Sequence, residues 1–374
     1  MRAFIRRWGV ERNEDAAGRR HGGRALCYAA ALASAIAPMT TLGACFDTGA
    51  ACGASFCPAG YVCDPDREGN PTCFARATGK RCDVPLTPDG NTCLQEDLKS
   101  VWGSGPNNIF AVGKGGTILH YDGSNWKFIP LGSIPRNSLN AVWGSGPKDV
   151  FVVGEEGTIL HFDGERWEII KHESIPQITL NSVWGNGPRD VLAVGDEGTI
   201  LRFKDGQWKA TTHESAPRAS LNAVWGSGPQ DIFAVGENGT ILHFEGERWE
   251  AVNHESIPPK SLNSVWGSGP QDVFVVGEGG TILHFDGTGW TAITSAPTAQ
   301  KTLNFVWGTR WDLSQYVVYV VGDDGMLLRH DSLGWSRRLP ADASLNAIWG
   351  DALKFHIVGD NGVAISESVS VSPW

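Results

Sequence analysis

Beyond Cys93 this 374-residue sequence contains no cysteine, and its eight cysteines all lie between Cys27 and Cys93. A disulfide framework or a thiolate metal site in the remaining three quarters of the chain is thereby excluded. Methionine and tyrosine are scarce, at three and five. No C-x-x-C pair occurs, and no His lies between Cys52 and Cys93, which argues against zinc there. The chain has no Ser-nucleophile elbow, P-loop or zinc-binding helix motif. It also lacks a basic excess. Residues 1–44 carry seven Arg against three acids, so removing them takes 31 basic and 41 acidic residues to 24 and 38, a net charge near −14. Such a surface favours solubility and disfavours nucleic acid and anionic lipid. What is plentiful is glycine (47) and tryptophan (16), a pairing that points to short strands joined by tight turns.

One long apolar run exists, "ALCYAAALASAIAPMTTLGA" at 25–44, behind an Arg-rich lead. This is the layout of a secretory signal. Twenty apolar positions would also suffice for an uncleaved membrane anchor. The run ends in "LGAC", Leu42 to Cys45. That motif resembles the bacterial lipobox, which implies cleavage before Cys45, lipidation of its thiol and a membrane tether. Two or three acyl chains hold a protein stably, at about 0.8 kcal/mol per buried CH₂. Phe46 in place of the Asp retention signal leans toward the outer membrane. Residues 1–44 are thus read as signal peptide and 45–51 as a lipid-anchored linker.

Cys52, Cys57, Cys63, Cys73, Cys82 and Cys93 fall in a segment with almost no aliphatic core. An even count in an exported chain reads as a disulfide module over 52–93, and six cysteines leave 15 pairings open. "CPAGYVCDPDREGNPTC" resembles small EGF-like and Dickkopf N-terminal modules. "DPDREG" imitates the start of a calcium loop, but Ala75 stands where its bidentate Glu belongs, so a polar turn is the simpler reading.

Residues 94–374 are repetitive. Trp102, Trp143, Trp184, Trp225, Trp266 and Trp307 are 41 residues apart, and Trp349 follows after 42. Within one period, "LNAVWG", "VFVVGE", "TILHFD" and "WEII" read as four strands separated by turns. Four antiparallel strands per unit and seven units predict an all-β, seven-bladed β-propeller. Blade six carries an insertion around Trp311. Blade seven loses the pattern after Gly362 and ends "VSVSPW", read as its last two strands with Trp374 near the outer-Trp position. No upstream strand stands out as completing it.

"AVG-x-x-GTILH-x-DG-x-x-W" resembles the BNR or Asp-box repeat of bacterial propellers and the propellers of photosystem II assembly factors. The resemblance covers all seven repeats. It departs from the strict Asp-box, since Asp163 and Gly164 are adjacent and blade four has Glu245 for Asp. It implies the fold more than a function, because such propellers include sialidases as well as non-catalytic scaffolds.

Comparing equivalent positions separates building block from site. The inner Trp column and the outer one (Trp126, Trp167, Trp208, Trp249, Trp290, Trp335) read as inter-blade core, each ring worth up to about 4–6 kcal/mol of burial. Carbohydrate stacking is their functional alternative. Lys99, Asn140, Asn181, Asn222, Asn263, Asn304 and Asn346 form a column expected to line the channel, the amides bonding the neighbouring blade or a channel ligand. A second column holds Lys114, Glu155, Asp196, Glu237, Glu278, Asp323 and Asp360. Turn chemistry does not explain the glutamates there. Strand order places this column on the face of the linkers, which carry His172-Glu173, His213-Glu214 and His254-Glu255. That face is the expected binding surface, for a basic protein patch or divalent cations, with a solubilising rim as the alternative. His120, His161, His243 and His284, spread around the ring, cannot share a metal. No cofactor or metal is expected. Catalysis is not expected either: the Tyr nucleophile and Arg cluster of a sialidase find no match, although abundant acids leave a glycosidase carboxylate pair open. The sequence reads as a monomeric, non-catalytic platform at the cell envelope for an unidentified protein or glycan, with glycoside hydrolase and assembly factor for a membrane complex as alternatives.

Overall fold

The computed structural model describes residues 94–374 apart from Ser133, 212–217, 311–315, 352–353 and 369–374, and four short upstream strands as backbone. Contacts divide the chain into two compact units, Met1–Ala75 and Arg76–Trp374. In the first, Ala51–Cys52 pairs with Ser55–Phe56 and Tyr61–Pro65 with Pro71–Ala75, which sets Cys63 opposite Cys73. The lipobox, Cys45 and the cysteine side chains lie outside the described residues, as do His213, Glu214, Trp311 and Trp374.

The second unit is the expected propeller. Among the described residues, six four-stranded antiparallel sheets and one three-stranded sheet succeed one another along the chain. Blade two is representative: Leu139–Gly146, Asp149–Gly154, Ile159–Phe162 and Trp167–Ile169. The turn between its second and third strands is a single 3-10 turn, Glu155–Gly157, and every blade repeats it. The second strands are buried throughout, as their uninterrupted "VFVV" runs require of a strand covered on both faces.

The core lies between blades. Each apolar cluster joins residues of two consecutive blades, and the cluster around Leu98 joins blade one to Ala347, Val358 and Ala364 of blade seven. The Trp-Gly pair explains the repeat's most constant feature. The ring of Trp102 lies over Gly144 of the next blade, where a Cβ would come within 2.6 Å of it. Trp143 over Gly185, Trp184 over Gly226, Trp225 over Gly267 and Trp266 over Gly308 repeat this, and Trp349 over Gly103 carries it across from blade seven to blade one. Any side chain at the glycine would evict the neighbour's ring, so the two residues are coupled between blades. Of the outer tryptophans, Trp126, Trp208, Trp249 and Trp290 are buried, so these four rings have no free face for a sugar.

Candidate binding face

Every first strand starts on one face of the ring, where the linkers and the 3-10 turns also lie. On this face the asparagine column is a belt of bonds between blades. Each amide donates from Nδ2 to the first-strand leucine carbonyl of the next blade: Asn140 to Leu180, Asn181 to Leu221, Asn222 to Leu262, Asn263 to Leu303, Asn304 to Leu345 and Asn346 to Leu98, all at 2.9–3.1 Å. Serines one position on extend the belt, Ser100, Ser182 and Ser264 accepting from the amides of Val142, Val224 and Val306. Blade one departs from it. Lys99 is half-buried and donates from Nζ to Asn140 Oδ1 at 2.7 Å. Burial pushes its ammonium below the usual lysine pKa, against the attraction of Glu155.

The acidic column is tied to this belt, which the separate sequence columns did not reveal. Asp196, Asp323 and Asp360 accept from Asn181, Asn304 and Asn346 of their own blades. Glu155 and Glu278 accept from the backbone amides of Ser138 and Ser261. Their backbones are fixed as well, Glu155 N donating to Ser138 O at 3.0 Å and its counterparts likewise. Five of the six acids in this column thus have side-chain bonds within the ring. Exposed carboxylates sit one residue on, at Glu156, Glu197 and Asp324, together with Glu237 and Glu278; of these Glu156 accepts from Asn137 and Asp324 pairs with Lys301. In blade one Lys114 reverses the sign and pairs with Asp97 at 2.6 Å. Partial burial opposes ionisation of Asp97, but Lys114 and the amide of Asn361 prevail and hold it below the ordinary aspartate pKa.

The linkers are turns built on their histidines. His172 Nδ1 accepts from Ser174 N and its carbonyl from Ile175 N, and His254 does the same with Ser256 and Ile257. An Nδ1 that accepts leaves Nε2 to carry the proton in the neutral ring. Glu173 and Glu255 stand exposed beside them. Beside His254 and Glu255 lies an open groove of about 520 Å³ whose walls include Asn238, Val252 and Ile257. Among the described residues no group of three or more His, Cys, Asp or Glu side chains is placed to hold a metal ion.

The opposite face carries the third-strand histidine column, whose aspartate partners the sequence reading did not identify. His161, His243 and His284 bond through Nε2 to Asp149, Asp231 and Asp272 at 2.6–2.7 Å. Each aspartate also accepts from a serine four residues earlier, Ser145, Ser227 and Ser268. The imidazoles stack on Phe151, Phe233 and Phe274 at 4.0–4.4 Å. In blade three Arg202 replaces the histidine and grips Asp190 with two bonds of 2.7 Å. The hydrogen bond from His284 holds the Asp272 carboxyl below its usual range. A serine that donates to aspartate, with no base at its own oxygen, is a strut and not an activated nucleophile. The signal was legible: Asp and His stand 12 residues apart in each of these blades.

No protein-family model matches this chain, and no curated protein does. Solved structures do match it. A YCF48 structure with a D1 peptide bound shares 18% identity at a TM-score of 0.60, over 74% of this chain and 95% of that one. YCF48 from Cyanidioschyzon merolae shares 16% at 0.56, over 75% and 97%. The WD40 repeats of RRP9 share 10% at 0.59, over 74% and 95%. At these identities the likeness is one of fold.

Proposed function

We propose that this chain is an exported, lipid-anchored propeller that serves as a non-catalytic binding platform at the cell envelope, on the outer membrane, and that its linker face takes a basic, extended protein segment. The observation that carries this reading is the composition of that face. Exposed carboxylates at Glu156, Glu197, Glu237, Glu278 and Asp324 line blades two to six, and the series breaks at blade seven, with Asn361, and at blade one, with Lys114. The ring gives attraction to positive charge and the break gives orientation. The peptide on the YCF48 neighbour supports a protein ligand, and it is the sole support for the narrower role of helping to assemble a membrane complex. Burial of four outer tryptophans weighs against a glycan.

The test uses exposed charges and leaves Glu155 and the asparagine-bonded aspartates alone; it gives up two exposed bonds, Asn137 Nδ2 to Glu156 and Ser261 N to Glu278. The variant E156K/E197K/E237K/E278K keeps the Glu155 and Asp196 bonds, so its fold should persist. Detergent-solubilised envelope membranes are passed over wild type and variant. Loss of the captured protein supports the reading. An unchanged captured set would eliminate this face.

A further inference from the structure

The asparagine belt occupies its nitrogens and leaves its oxygens. These asparagines stand on the first strands, which touch one another from blade to blade around the channel. In blade three, Asn181 Nδ2 has two hydrogens and two acceptors, Leu221 O at 3.1 Å and Asp196 Oδ1 at 3.0 Å. Asn304 divides its hydrogens in the same way between Leu345 O and Asp323, and Asn346 between Leu98 O and Asp360. A backbone carbonyl and an ionised carboxylate only accept, so the amide nitrogen must face them and the position of Oδ1 follows.

Blades three, six and seven thus each present an amide oxygen beside a carboxylate, with no donor left in the pair. All six residues are partly exposed. Among the described residues no donor reaches Oδ1 of Asn181, Asn304 or Asn346, and no cation pairs with Asp196, Asp323 or Asp360. Blades four and five carry no such pair. Among the described residues Glu237 and Glu278 do not reach Asn222 and Asn263, and Glu278 turns to Ser261 N.

Blade two shows what an amide oxygen near an acid takes. Its occupant comes from within the chain. Lys99 stands at the asparagine position of blade one, and its Nζ donates to Asn140 Oδ1 at 2.7 Å. Glu155, the acid of blade two, attracts the same ammonium. Before blades three, six and seven the corresponding residue is Asn140, Asn263 or Asn304, whose amide goes to the next leucine carbonyl and not to the next Oδ1. A lysine ammonium is a compact charge with three donors on a flexible stem, which suits two acceptors on separate side chains. The planar fork of arginine suits both oxygens of one carboxylate. One carboxylate and one amide are too few ligands for a divalent metal ion.

We propose that these three pairs are docking sites for primary ammonium groups, the lysine side chains of the partner segment, each held as the chain holds its own Lys99. The inference rests on the reading that this face takes a basic segment. It adds which basic residue is selected and where: lysine, at the channel mouth inside the exposed rim. In a ring of seven, blade three lies across from blades six and seven, so a segment that crosses the mouth meets a site on either side.

Three synthetic peptides test this on the full-length protein: alternating Gly-Lys, alternating Gly-Arg, and the first with its lysines Nε-acetylated. Calorimetry reads the binding. Wild type should bind the lysine peptide about tenfold more tightly than the arginine peptide, and the acetylated one not measurably. D196N/D323N/D360N removes the charges but keeps an oxygen for each asparagine Nδ2, and it should abolish the lysine preference. Lys99→Asn vacates the pair of Asn140 and Glu155 without touching the Asn140–Leu180 bond, and it should widen that preference. This second variant decides the matter if the triple one fails to fold. Equal affinity of wild type for the lysine and arginine peptides, with both lost in E156K/E197K/E237K/E278K, would overturn the proposal and leave the broader reading of the face standing. A lysine preference unchanged in both asparagine variants would overturn it too. So would binding of neither peptide, with the membrane capture then deciding the broader reading.

Discussion

The ring has six seams between blades that follow one another in sequence and one seam where blade seven meets blade one. The closing seam uses the same parts as the rest. Trp349 covers Gly103 as Trp184 covers Gly226, and Asn346 reaches Leu98 as Asn222 reaches Leu262. What differs is what surrounds them. Lys354 Nζ bonds to Tyr121 OH at 2.7 Å, Asp97 links Lys114 to Asn361, and His356 stands where most blades place a phenylalanine. Covalent continuity is thus not what makes a seam. The repeat's contacts do that, and the closing seam adds polar and ionisable pins.

The tryptophans give the largest expected effect. Trp184→Ala and Trp349→Ala should each cost about 3 kcal/mol in denaturant unfolding. If the seams are equivalent, the two losses agree. A Trp349 variant with far smaller loss would mean that the closing seam is held by other contacts.

Next comes acid. His356 is buried against Tyr121 and Trp126 of blade one, at ring distances of 4.9 and 6.0 Å. Burial first, then the nearby Lys354 charge, lowers its pKa to about 4. Its folded pKa therefore lies below its unfolded value of about 6.5, and the unfolded chain takes up the proton first. Stability from this site is complete above about pH 6.5 and falls as pH drops toward 4, by about 3 kcal/mol at most. His356→Phe should flatten that slope. A variant with the wild-type pH profile would place the acid sensitivity elsewhere.

Asp97→Asn is a smaller break. It removes the charge facing Lys114 and weakens the acceptor for Asn361, for a loss of about 1 kcal/mol confined to the closing seam. Because the folded pKa of Asp97 is lowered, its contribution is present above the unfolded value near 4 and disappears only as pH falls through the lower folded one. A thermal melt at neutral pH and one near pH 3 should thus differ less in this variant than in wild type. The smallest effect is expected from Lys99→Asn, which restores the asparagine column. Its cost in a melt should stay within about 0.5 kcal/mol, since removing a half-buried ammonium offsets the lost bond to Asn140. A large loss would make Lys99 a structural pin and not an irregularity of the channel.

Much of this was legible in the sequence. The 41-residue period, the four strands and the inter-blade tryptophans follow from spacing and residue type, because those contacts repeat. The candidate face was half legible. Glu155 and Asp196 stood out by recurrence, yet recurrence also marks a structural bond, and only geometry shows that Asn181 already holds Asp196 while Glu197 is exposed. The closing seam was not legible, because it departs from the repeat where it matters: Leu94 continues no blade in sequence, and His356 breaks the aromatic column.

The equivalence of the seams at neutral pH, and the acid lability of one, can be measured together by hydrogen exchange on the intact protein at pH 7.5 and at pH 4.5, with rates corrected for intrinsic pH dependence. The second strands of blades one, four and seven, Asn108–Gly113, Asp231–Gly236 and Lys354–Gly359, should be similarly protected at pH 7.5. At pH 4.5 blades seven and one should lose protection while blade four keeps it. Weak protection of blade seven at pH 7.5, or a uniform loss in all three at pH 4.5, would contradict the account.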